Sequence, residues 1–130
     1  MPRFIVLEHT DAPDDPGGRH YDLLLEAGEV CRTWRLSDMP AADGKPVAAT
    51  PIAPHRLAWL DHHDGPVSGN RGHARRIDAG TYEPACDAVA EMTVDETTVD
   101  ETTEPVVVQV RGTLLIGELT VGHDRAWRRP

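Results

Sequence analysis

The sequence predicts an all-β fold, a small antiparallel β-barrel with long polar loops. Three observations predict it. Short runs rich in Val, Leu, Ile, Thr and aromatic residues recur along the chain, separated by Gly, Pro and Asp. Several runs alternate between two side-chain faces with the period of two that a half-buried strand requires. No segment carries apolar residues at helical spacing for long enough to call for a helix. Many short strands with turn signals between them suit closure into a barrel or sandwich.

The first predicted strand is Phe4 to His9, an apolar run that ends in Glu8-His9. The insert from Asp11 to Gly18 holds three Asp, two Pro and two Gly and reads as a mobile acidic loop. His20 to Glu26 is the second strand: aromatic and aliphatic, without an internal Gly or Pro. Ala27-Gly28-Glu29 turns the chain into a third strand, Val30 to Leu36, and the pair reads as a hairpin. Residues 37 to 54 are rich in Pro and Ala and read as loop, with a short edge strand at Val47 to Thr50. Arg56 to Leu60 reads as a short strand and Asp61 to His73 as a Gly-rich loop. Arg75 to Ile77 and Thr81 to Glu83 are strand pieces around Ala79-Gly80. Val106 to Val110 and Leu114 to Val121 are strong strands joined at Arg111-Gly112-Thr113, and Trp127 anchors the tail.

The chain of 130 residues predicts one domain, 1–130, with a modest core of Val, Leu, Ile and Ala. The net charge is -9, which argues against a protein that coats duplex nucleic acid. The charge is uneven. The low-complexity segment at about 87–104 holds seven acids and no base, and includes Thr93-Val94-Asp95-Glu96-Thr97 repeated at once as Thr98-Val99-Asp100-Glu101-Thr102. That repeat is too short for a solenoid and reads as an acidic, poorly ordered loop. Outside it, 15 acids face 13 bases, and the densest basic patch is Arg71, Arg75 and Arg76. No apolar run is long enough to span a membrane, and the opening residues carry no signal-peptide pattern, so a cytoplasmic monomer is expected. Cys31 and Cys86 have no metal-ligand spacing and are expected to be free thiols.

The candidate chemistry lies on the second strand. His20, Asp22 and Leu24 share one face; Tyr21, Leu23 and Leu25 share the other, the natural core face. A His and an Asp on one strand face can reach a single cation, since imidazole nitrogen and carboxylate oxygen suit Zn, Mn or Fe. His9 is the first candidate for a third ligand. Read alone, His20 and Asp22 are equally a solvated polar pair.

The order of the pieces resembles the 3′-phosphoesterase domain of bacterial DNA ligase D. That family has E-H or K-H, then H-Y-D-x-R-L-E, then a strand ending S-W, then D-H-P-L-x-Y and a Gly-rich loop. The pieces here are Glu8-His9, His20-Tyr21-Asp22-Leu23-Leu24-Leu25-Glu26, Thr33-Trp34 and Pro54-His55-Arg56-Leu57-Ala58-Trp59. Asp64 to Gly72 and Asp78 to Pro84 follow, so the likeness covers roughly residues 3 to 84. It implies a phosphoesterase-like β-barrel that holds a divalent metal, usually manganese, on His9, His20 and Asp22; zinc is an alternative. It implies that His55 touches the substrate phosphate as donor or general acid. It also implies that the partner is a DNA 3′ end, with or without a terminal ribonucleotide, together with other end-joining repair proteins.

The departures are specific. Leu24 stands where the family has an Arg, and Trp59 where it has a Tyr. The family's Arg shortly before the downstream His has no clear match. Arg71 is the candidate replacement, because a guanidinium fork fits phosphate oxygens. His62, His63 and His73 read as surface residues. Two other readings follow from these residues: a metal-bound end-binding module with weakened catalysis, and a small Fe(II) barrel oxygenase whose third ligand is His55 or His73.

Overall fold

Alternation drives the architecture. In the run Phe4 to Leu7 both faces are apolar, so this strand is covered on both sides. The structure, a computed structural model, describes residues 2–12, 15–41, 44–62, 64–66, 73–84, 106–122 and 124–129. Its strands are β1 (Arg3–Ala12), β2 (Asp15–Ala27), β3 (Val30–Leu36), β4 (Val47–Arg56), β5 (Asp64–Pro66), β6 (His73–Pro84), β7 (Val106–Arg111), β8 (Ile116–Val121) and β9 (Arg125–Arg129). The strands hydrogen-bond in the order β1-β2-β3-β4-β9-β8-β7-β6, and β6 pairs back to β1. This closes an eight-stranded antiparallel barrel; β5 lies outside the ring, paired to β6. The all-β barrel is thus as predicted. Among the described residues no helix is long and apolar enough to cross a membrane.

The barrel interior holds Phe4, Val6, Tyr21, Leu23, Leu25, Trp34 and Leu36 from one half and Val106, Val108, Val110, Leu119 and Val121 from the other. Tyr21, Leu23 and Leu25 therefore do face the core. A second, smaller cluster lies on the outside of the wall. Ile5, Leu7, Leu24, Cys31 and Ala74 are buried there together with Leu60. The lid over this cluster is a 3₁₀ helix, Leu57–Asp61. A strand was expected at Arg56 to Leu60. In a 3₁₀ helix positions i and i+3 superpose, so Leu57 and Leu60 both point down at the cluster, which a strand would not allow. The burial pushes the Cys31 thiol pKa up.

Other boundaries move for identifiable reasons. β4 continues to Arg56, beyond the expected Thr50, in spite of Pro51 and Pro54. Its ladder to β9 involves only Val47 and Ala48, so beyond these residues one edge needs no N–H donor and proline is tolerated. β1 and β2 extend into the expected acidic loop, with Ala12 opposite Asp15. β6 is one strand of 12 residues where two pieces were expected. Gly80 is a crossing point, not a turn: a Cβ there would collide with the backbone carbonyl of Arg111. The tail forms β9 and closes the barrel, with Trp127 opposite Thr120. The Thr93–Thr102 repeat, the rest of segment 87–104 and Cys86 lie outside the described residues.

Asp78 explains why β8 begins at Ile116 and not at Leu114. Its buried carboxylate accepts hydrogen bonds from the backbone N–H groups of Ala79 (2.8 Å), Thr113 (2.8 Å), Leu114 (3.0 Å) and Leu115 (2.6 Å). Three amides of the β7–β8 turn are thus spent on one side chain rather than on a ladder. A Cβ on Gly112 would sit 2.7 Å from that carboxylate and 2.6 Å from the Phe4 ring, so the turn approaches as only glycine permits.

Two outcomes follow. Asp78→Ala strands these donors in a part-buried turn, a cost on the order of 3 kcal/mol, or about 10 °C of thermal midpoint. A melt within about 2 °C of wild type would show that the turn holds without it. Leu24→Arg is expected to unfold the domain. The residue is 0% exposed beneath the 3₁₀ helix, and a buried unpaired guanidinium costs several kcal/mol. Loss of the far-ultraviolet β signal at 25 °C checks this; a well-folded Leu24→Arg protein would place the residue at an open surface.

Candidate metal centre

The register of one hairpin builds the centre. Antiparallel pairing sets His9 directly opposite His20 and Leu7 opposite Asp22. His9, His20 and Asp22 thus all project from the outer face of the wall, on the opposite side from Tyr21 and Leu23. Their ligand atoms converge within 4.8 Å of one another. His9 Nδ1 and His20 Nε2 are 2.9 Å apart, with the rings edge to face at 80°. His9 Nδ1 lies 3.9 Å from Asp22 Oδ2, and His20 Nε2 lies 4.0 Å from Asp22 Oδ1. The predicted trio is therefore brought together.

These groups fit a divalent cation. Two bonds of about 2.1 Å to one ion span at most about 4.2 Å, and the three separations here, 2.9, 3.9 and 4.0 Å, lie within that reach. Asp22 is 5% exposed, and among the described residues its Oδ1 has no hydrogen-bond partner. A buried carboxylate oxygen left in that state is costly, and a cation removes the cost. Burial raises the Asp22 pKa; the neighbouring His20, Arg35, His9 and His55 oppose that rise when charged.

His55 stands beside this group, on β4 opposite Cys31. Its Nδ1 is 3.0 Å from Thr33 Oγ1 and 3.2 Å from the carbonyl of Ala53. Thr33 Oγ1 donates its proton to the Cys31 carbonyl at 3.0 Å. Both contacts therefore require Nδ1 to carry a proton, since the Thr33 hydroxyl and the Ala53 carbonyl can act there only as acceptors. Nε2 is the ring nitrogen that these contacts leave uncommitted. The Trp59 ring packs edge-on to His55 with centroids 5.9 Å apart and lies against His62 on its other side.

The remaining candidates are placed differently. Arg71 and His63 lie outside the described residues. His62 is no loose surface residue: its Nε2 donates to the Ala74 carbonyl at 2.8 Å and ties the 3₁₀ helix to β6. His73 lies opposite Thr10 and is not one of the converging ligands. Leu24 shares the face of His20 and Asp22, but it is sealed in the outer cluster and does not line an open pocket. Of the basic patch, Arg75 is held by Glu8 at 3.1 Å and Arg76 donates to the Leu60 carbonyl at 3.4 Å.

Arg35 was missed. It lies opposite Asp22, with Nε 3.8 Å from Asp22 Oδ1. The signal was present in the hairpin: a two-residue turn at Gly28-Glu29 sets Ala27 opposite Val30, and counting back along both strands puts Asp22 opposite Arg35. Thr33, the positioner of His55, projects from the same face.

Manganese or zinc is expected to raise the thermal midpoint of the wild-type protein, and Asp22→Asn is expected to abolish that rise. The same variant should be no less stable than wild type when metal-free at pH 7. The sign follows from the raised carboxyl pKa: the folded state binds the proton more tightly, so stability is greatest below about pH 4 and falls as the pH rises through the folded pKa. Asn removes that loss. A metal-induced rise that persists in Asp22→Asn would refute the ligand assignment.

The sequence matches no family model, and no curated protein is significantly similar to it.

Proposed function

We propose that this protein is a metal-dependent phosphoesterase that acts on 3′ ends of DNA in the course of end repair, removing the 3′-phosphate and a terminal 3′-ribonucleotide. The observation that carries the reading is the convergence of His9, His20 and Asp22 on one outer face, with His55 beside them. The resemblance to the phosphoesterase domain of DNA ligase D supports it.

The ion proposed is manganese, with zinc as the alternative; when bound it supplies a Lewis acid for a phosphoryl oxygen and for the attacking water. His9 and His20 orient two imidazoles at nearly right angles, and Asp22 contributes the neutralising charge. His55 is held through Nδ1 by Thr33 and Ala53, so its Nε2 is the atom that delivers a proton to the departing 3′ oxygen. Trp59 limits the swing of that ring. Water adds to phosphorus as the 3′ ester bond breaks, and inorganic phosphate and a 3′ hydroxyl are formed.

The sealed position of Leu24, where the family has an Arg, favours a second reading: a metal-bound module that recognises ends with weakened catalysis. One assay separates the two. The purified protein is expected to release phosphate from a 3′-phosphorylated primer-template end only with a divalent metal. His20→Ala should abolish release, and His55→Ala should slow it by about 10²-fold or more. Absence of release with manganese, zinc and cobalt would refute the phosphoesterase reading and leave end binding to be measured.

A further inference from the structure

Arg35 and Asp22 are register partners, but their side chains are not equally enclosed. The Asp22 side chain is 7% exposed and that of Arg35 36%. The Nε–Oδ1 separation of 3.8 Å makes this contact an ion pair rather than a hydrogen bond. On the outer side, Arg35 and His20 line a cleft of about 320 Å³ that continues along Arg19, Ser37 and Thr50. The lining holds the Arg35 guanidinium and two hydroxyls, and no carboxylate among the described residues; Arg19 carries its own guanidinium to the other face, over Tyr21 and 3.6 Å from Glu8. Such a lining suits an oxyanion, because guanidinium forks bind phosphate oxygens in pairs and hydroxyls donate to them. The cleft shares His20 with the candidate metal centre, so an anion in it would lie next to the ligand group.

We propose that Arg35 is the phosphate clamp of this centre, supplied from β3, and that the cleft beside it receives the phosphorylated end. The inference rests on the phosphoesterase reading for the identity of the oxyanion. It resolves the departure at position 24. A side chain one pleat beyond Asp22 on β2 is pressed against Cys31 and the lid, whereas the position opposite Asp22 on β3 opens to the cleft. The donor fork therefore comes from the partner strand. Arg35 contacts substrate, and its effect on Asp22 is secondary.

The test titrates inorganic phosphate into the manganese-loaded full chain by calorimetry, for wild type, Arg35→Gln and Arg35→Lys. Arg111→Ala, on β7 and outside the cleft lining, where its side chain pairs with Glu83 at 3.1 Å, serves as control. All four proteins are expected to keep the manganese-induced rise in thermal midpoint. Phosphate affinity should fall roughly ten- to a hundredfold in Arg35→Gln and by less in Arg35→Lys, which keeps the charge but not the fork. The control should bind as wild type does. The clamp is overturned if Arg35→Gln binds phosphate as tightly as wild type, or if wild type binds none. It is also overturned if Arg35→Gln loses the manganese response, which would make Arg35 a counter-ion of Asp22 alone. Should Arg35→Gln not fold, Arg35→Lys decides: unchanged affinity sinks the clamp. Arg35-dependent phosphate binding without release from DNA ends would instead sink the phosphoesterase reading and leave the clamp standing.

Discussion

The pairing of β1 with β2 is the constraint on which everything else depends. It runs without a shift from Phe4 opposite Leu25 to Thr10 opposite Arg19. Both strands are buried on both faces along their inner stretch, so a slip by one residue would turn Phe4, Val6, Leu23 and Leu25 outward and the outer cluster inward. The same register that satisfies two hydrophobic clusters sets His9 against His20. The convergence of His9, His20 and Asp22 is thus set by apolar packing a few residues away.

The outer face of this wall is divided into two zones. Toward one end, Ile5, Leu7 and Leu24 are sealed by Leu60, with Leu57 and Trp59 packed alongside. Toward the other, His9, His20, Asp22, Thr33 and Arg35 form a polar field. The 3₁₀ helix marks the boundary, because Trp59 serves both zones: it packs on the cluster and its ring meets His55.

Two buried carboxylates illustrate opposite solutions to the same cost. Asp78 is satisfied within the fold by four backbone amides and stabilises the β7–β8 turn. Asp22 has an oxygen with no hydrogen-bond partner among the described residues, and burial pushes its proton affinity up. The contrast distinguishes the two acids more sharply than burial alone, since both are nearly inaccessible, and it is what makes Asp22 rather than Asp78 the candidate ligand.

The sequence by itself determined the barrel class, the β2–β3 hairpin, the two faces of β2 and the trio His9, His20 and Asp22. Each of these rests on alternation or on a short turn, which are local properties of the chain. Arg35 was legible by the same arithmetic, through counting back from Gly28-Glu29. Tertiary structure alone decided the rest. That Leu24 is sealed rather than open depends on the 3₁₀ helix, and a short apolar run such as Leu57 to Leu60 carries too little periodicity to tell a strand from a helical turn. That Asp78 anchors a turn 35 residues away depends on barrel closure between β6 and β7, which leaves no local trace. That His55 is held through Nδ1 depends on Thr33 across the β3–β4 ladder. Chain alternation reports which way a side chain points; only the closed sheet decides what it meets there.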